Sequence, residues 1–172
     1  MMKIDNGTIN FSVYEGANEF LGMAEATLPE ISMIAEEIKG AGIAGSFSGP
    51  YAGHFEPMSL TLNFRSTTRA AVQLLKPEKH QIELRAAQQK WDNNSGKNIV
   101  ESVKHVVVAT PLKYAPGKLA SASPTDGSGE YSVSYYAMFI DSQKVIEIDI
   151  INFICYINGE DYLADVRTAL GK

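Results

Sequence analysis

Between Lys144 and Ile157 the sequence KVIEIDIINFICYI distributes its side chains with a period of two. Ile146, Ile148, Ile150, Ile154 and Tyr156 fall on one face, interrupted only by Asn152. Successive Cβ atoms of an extended chain point to opposite sides, so this spacing predicts a strand. The opposite face begins polar, with Glu147 and Asp149, and turns apolar through Ile151, Phe153, Cys155 and Ile157. A strand that changes in this way is solvated on one side at its start and covered on both sides at its end. The chain must therefore supply a second layer.

The same alternation recurs along the chain. Met58, Leu60, Leu62 and Phe64 oppose Ser59, Thr61, Asn63 and Arg65, and further strands are predicted over Thr8–Tyr14, Phe20–Leu28, Gln81–Trp91, Asn98–Thr110 and Glu130–Ile140. The polar segments DNNSGK and DSQK read as tight connections between antiparallel neighbours. Two helices interrupt this pattern. Ser66 is the expected N-cap of TTRAAVQLLK, which stops at Pro77 because proline cannot continue the hydrogen-bond ladder. After the Asn158-Gly159 turn, Glu160 and Asp161 are expected in the first turn of a terminal helix whose stripe is Tyr162, Leu163, Val166 and Leu170, closed by Gly171. The expected fold is mainly β, two packed antiparallel sheets forming a sandwich or partly closed barrel, with a flanking helix and a short C-terminal helix.

At 172 residues, 45% hydrophobic and 20% charged, the composition suits one globular domain spanning 1–172. Long loops are expected at about 40–57, which holds five glycines and two prolines, and at 111–129, rich in Pro, Gly and Ser. A net charge of −5 weighs against a protein that grips nucleic acid, because such binding rests on Lys and Arg neutralising phosphates. MMKIDNGTINF has no apolar stretch of secretory type, and no run is long enough to span a bilayer, so no membrane anchor is expected. The single cysteine, Cys155, lies on an apolar strand and reads as a buried small hydrophobe, which fits assembly in a reducing cytoplasm.

Catalytic chemistry is missing from the sequence. There is no phosphate-binding loop, G-x-S-x-G elbow or H-E-x-x-H helix. His54, His80 and His105 are too scattered for a metal site, and no cofactor or metal ligand set is expected. Glu147 and Asp149 share a predicted strand face and resemble a carboxylate pair, but alternating acids are more often a solubilising face or a surface turned to a channel or neighbour. A β-rich chain without catalytic groups still has strand edges to manage, and pairing with further copies is one way to manage them.

Two segments carry a family resemblance. EIDIINFICYINGEDYLADVRTALG resembles the C-terminal signature of the tail tube proteins of contractile bacteriophages and phage-tail-like R-type bacteriocins, and LPEISMIAEEIKGAGIAGSFSGP, from Leu28 to Pro50, is similar to the N-terminal signature of the same family. The resemblance implies a sandwich with a flanking helix, assembled as stacked hexameric rings around a central channel. The implied partners are further copies of the chain, a tail sheath protein, a tape-measure protein and baseplate or tail-tip proteins, with DNA passing through only in a phage. The implied location is a virion tail or an extracellular bacteriocin particle, assembled in the bacterial cytoplasm. The ring protein of type VI secretion is the nearest alternative. A β-sandwich binding module or glycan-active enzyme, with Trp91 and Tyr135 as stacking groups, is a more distant one.

Assembly residues are expected in two places. Leu28 to Pro57 is read as a loop or hairpin reaching a neighbouring subunit or ring, with Gly40, Gly42, Ile43, Gly45, Phe47, Tyr51 and Phe55 as contact residues. The Ile146, Ile148 and Ile150 face is assigned to the core, and Glu147 and Asp149 to the channel or a subunit contact.

Overall fold

The computed structural model describes residues 2–20 and 23–172. Its elements run β1 (Lys3–Glu15), β2 (Asn18–Phe20), β3 (Met23–Thr27), β4 (Met33–Lys39), β5 (Ser46–Phe55), β6 (Met58–Phe64), α1 (Arg69–Gln73), β7 (His80–Asp92), β8 (Lys97–Ala115), β9 (Gly127–Ile140), β10 (Gln143–Asp149), β11 (Ile154–Ile157), β12 (Glu160–Asp161) and α2 (Ala164–Ala169).

The main sheet has the order β12-β11-β10-β9-β8-β7-β1-β2, with every described pairing antiparallel. It branches at β9. Gly127–Val133 of that strand pairs with β6, while Tyr135–Ile140 pairs with β10, and β8 runs along the other edge of both halves. The change of partner occurs at Ser134, an extra residue in the β8–β9 register, where β9 steps from Tyr135 opposite Val108 to Val133 opposite Ala109. A bulge of this kind bends a strand and increases its twist, which lets one strand serve two layers. Ser134 also receives the Ile150 amide on its carbonyl at 3.3 Å.

The second layer is β6 with β3 on its far edge. Its alternation is the one read in the sequence: Met58, Leu60, Leu62 and Phe64 are buried. They cluster with Val13 of β1, Ile82 and Leu84 of β7, and Val107 and Ala109 of β8, and Ala71 and Leu74 from the α1 region close one end. The sheets pack as a sandwich rather than closing into a barrel.

Several local expectations need correction. The N-cap of α1 is Thr68, not Ser66; the Thr68 hydroxyl accepts from the Ala71 amide at 3.1 Å. The strand read across Lys144–Ile157 is a hairpin, because Ile150–Phe153 forms a turn between β10 and β11. Asp149 nucleates that turn by accepting from the amides of Ile151 and Asn152, both at 3.0 Å, and Phe153 completes it at φ 55°. Ile150 is therefore 44% exposed and does not share a core face with Ile146 and Ile148. Glu160 and Asp161 are not in a helix; they form β12, joined to β11 through Asn158 (φ 47°) and Gly159 (φ 98°). Two successive positive φ values suit an Asn-Gly hairpin turn. The expected loop at 40–57 is mostly strand β5, and the one at 111–129 shrinks to 116–126 because β8 continues to Ala115. The predicted strand Phe20–Leu28 reaches positions 21–22, which lie outside the described residues.

Candidate assembly surfaces

The β4–β5 hairpin is a sheet of its own and pairs with no other described strand. Every residue of β4 is exposed, and β5 is exposed at most positions. At its root the Glu56 amide donates to the Ser32 carbonyl at 2.7 Å, and Phe55 packs against the core cluster. A second fastening comes from Gly53, at φ 71°, where an added Cβ would lie 2.3–2.7 Å from three carbons of buried Leu163. Only glycine lets β5 approach Leu163 so closely.

Beyond the root the arm displays apolar side chains on a framework with little of its own body to cover them. Ile31, Met33, Ile34, Ile38, Ile43, Phe47 and Tyr51 are all exposed, Phe47 at 55% and Tyr51 at 52%. The Tyr51 hydroxyl donates to Glu36 across the hairpin at 3.3 Å, and its ring meets His54 edge-on. An isolated two-stranded hairpin is marginal in water, and an apolar one is a surface seeking a partner.

The expected assembly residues thus divide. Gly40, Gly42, Ile43 and Gly45 form the tip of the arm, with Phe47 and Tyr51 on its shaft. Phe55 lies at the root and is committed to the core. Glu147 and Asp149 are elsewhere, on β10, and each is engaged within its own chain. Glu147 accepts from the Tyr135 hydroxyl at 2.9 Å and from the Lys144 ammonium at 2.5 Å. Burial, then the bond to Glu147, pushes the Tyr135 phenol up to about 12. Asp149 is occupied by the turn that follows it and takes the Asn152 amide side chain at 2.7 Å as well. The two acids therefore do not converge on one site. Trp91 and Tyr135 do not converge either, since their partners on β8, Asn98 and Val108, lie about 33 Å apart along the strand.

A second exposed apolar surface lies at the C-terminus, where the predicted helix stripe is inverted. Leu163 alone of the four is buried; Tyr162, Val166 and Leu170 face solvent, as do Ile150 and Ile151 of the β10–β11 turn. Arg167 holds this region in place, with Nη2 on Asp161 at 2.5 Å and Nη1 on the Phe153 carbonyl at 2.7 Å. The Arg167 guanidinium in turn keeps the Asp161 carboxyl below its ordinary range. Helical spacing announced the stripe; it could not announce that only one turn would meet the body. Among the described residues no helix is long and apolar enough to cross a membrane.

Comparison with known proteins gives a family match over residues 6–171, to the phage tail tube protein FII. No curated protein matches. Among solved structures the fold is similar to a chain of an extracellular contractile injection system, the PVC sheath/tube terminator in its extended state, with TM-score 0.53 and 16% identity over 76% of this chain and 94% of that one. It is also similar to a chain of the PVC sheath-tube complex in the extended state, with TM-score 0.52 and 17% identity over 76% of this chain and 88% of the other. At such identities the likeness is one of fold.

Proposed function

The chain belongs to the phage tail tube protein FII family, and we propose from that membership that it builds the tube as hexameric rings stacked around a central channel, with the β4–β5 arm reaching a neighbouring subunit or ring. Its role is structural rather than catalytic, as a component of a contractile tail or related particle. The partners that follow are further copies of the chain, a surrounding sheath, a tape-measure protein in the channel during assembly, and a baseplate on which the first ring forms. Assembly takes place in the cytoplasm before the particle is released.

One observation carries this reading: an apolar arm fastened at its root, unpaired with the main sheet, and exposed along most of both strands. Head-to-tail association suits such a chain, because each copy then offers an arm and receives one, and a closed ring also disposes of lateral sheet edges. The balance of charge supports a conduit as well, since a net −5 subunit has little affinity for a phosphate backbone sliding past.

Deleting Gly42 to Gly53 tests the arm. Negative-stain microscopy should show loss of tubes, while circular dichroism and gel filtration show a soluble, folded monomer. Tubes of normal length from the deletion variant would refute the role of the arm.

A further inference from the structure

Under the overhang of the main sheet is a cavity of about 330 Å³. Its walls are Phe11 of β1, Leu84 and Ala86 of β7, Val103 of β8 and Met138 of β9, and Leu28, from which the arm departs, stands at its lip. Thr8, Gln88 and His105 are its polar members, and none of its described lining residues carries a fixed charge. His105 is buried, sits with Nδ1 2.8 Å from the Tyr136 hydroxyl, and is held toward its neutral form by that burial. The cavity is uncharged in a chain one-fifth of whose residues are charged.

The tip of the arm has matching chemistry. Gly40-Ala41-Gly42-Ile43-Ala44-Gly45 carries no charge, and Ile43 is its single large side chain, 43% exposed. The turn is fastened by the Ile43 amide on the Gly40 carbonyl at 3.2 Å. Gly42 and Gly45 hold φ of 88° and 138°, with open space where a Cβ would stand, so the tip is slim as well as neutral. A neutral tip entering a neutral cavity strands no ion, and burying one branched aliphatic side chain is favourable. The tip cannot serve its own cavity. The seven residues of β4 carry it about 24 Å from the root, and only residues 29–32 separate β4 from Leu28 at the cavity lip.

We propose that this cavity is the receptor for the Ile43 tip of a second copy's arm, so that root and receptor, joined in the chain by residues 28–32, link copies in series. This rests on the reading that the arm reaches a neighbouring copy, and adds where it lands. Each copy gives one tip and receives one, which is a heterologous contact able to propagate.

The test pairs Ile43→Cys with Gln88→Cys. Cys155 competes poorly for disulfide formation, because it is buried and its thiol is pushed up by that burial. Under mild oxidation, tubes of the double variant should give a ladder of covalent oligomers on a non-reducing gel, and neither single variant should. Assembled tubes without a ladder would overturn the proposal. If the double variant does not polymerise, Ala86→Trp, which fills the cavity, decides: a folded monomer that no longer forms tubes supports the proposal, and normal tubes refute it. Wild-type protein provides a measure that no substitution can disturb. Hydroxyl-radical oxidation of Met138 should fall roughly tenfold from monomer to tube, as solvent opening is suppressed, and equal oxidation in both would refute the receptor. Loss of tubes on deleting the arm, together with failure of the Cys pair, would discard the receptor alone; tubes that survive the deletion would discard the arm as well.

Discussion

Ile148 and Ile150 are two positions apart and look equivalent in the sequence, yet one is 1% exposed and the other 44%. The difference originates in Asp149, whose carboxylate draws the following amides into a turn and so ends β10 at Asp149 itself. Alternation reports which faces a strand would have, but it continues through a local side-chain to backbone bond that ends the strand. Substitution makes the difference measurable. Ile148→Asp should cost about 3–5 kcal/mol in urea unfolding, through an unpaired charge in the core. Ile150→Asp should stay within about 0.5 kcal/mol of wild type, as for ordinary surface changes. Equal losses at both positions would return Ile150 to the core face.

At the scale of elements, the strands of the sandwich were legible because β6, β7, β8 and β9 each alternate over a buried face, whereas the arm was legible only as a loop or hairpin, without its strands. Its residues alternate poorly because neither face is buried, so five glycines and two prolines between 40 and 57 dominate the local pattern and suggest a loop. The helix α1 shows another limit. Its five residues are too few to be stable alone, and tertiary anchors hold it. One anchor is His80 at the start of β7, 2% exposed, with Nδ1 on the Glu15 carboxylate at 2.5 Å and Nε2 donating to the Lys76 carbonyl at 2.9 Å just beyond the helix. Burial by itself would lower the pKa of His80, but Glu15 and the Lys76 carbonyl both favour the doubly protonated ring, with Glu78 adding to the field, and the net shift is upward from 6.5. A pKa raised by folding means that the stabilisation is fully present below the unfolded value and disappears as pH rises through the folded one. Urea midpoints should therefore fall as pH rises above 6.5, and the fall should be smaller in His80→Gln. The same slope in both proteins would place the pH dependence elsewhere.

For the whole molecule, the question left by a single chain is where the main sheet ends. Among the described residues β2 covers β1 only at Val13–Glu15, β9 meets β8 only from Val103 onward, and Asp141 takes both backbone groups of Ser102, so the described pairings leave Lys3–Ser12 and Lys97–Glu101 as edges on opposite sides of a three-stranded tongue. The two edges differ. β1 is bulged between Asp5 and Gly7 and again between Thr8 and Asn10, which blunts it against casual pairing, while β8 is regular through its free stretch. An unblunted edge in an assembling subunit is the natural site for a neighbour's strand. Because β1, β7 and β8 alternate in direction, β1 and β8 run parallel, and copies related by rotation about one axis would meet there in parallel register. Amide exchange reads this directly. In the monomer, amides of Lys97–Glu101 that point away from β7 should exchange freely, and in tubes they should slow by roughly tenfold or more, as hydrogen-bonded ladder amides do. Rings closed through side chains alone would leave those amides equally fast in both states, and the arm would then be the principal device joining one copy to the next.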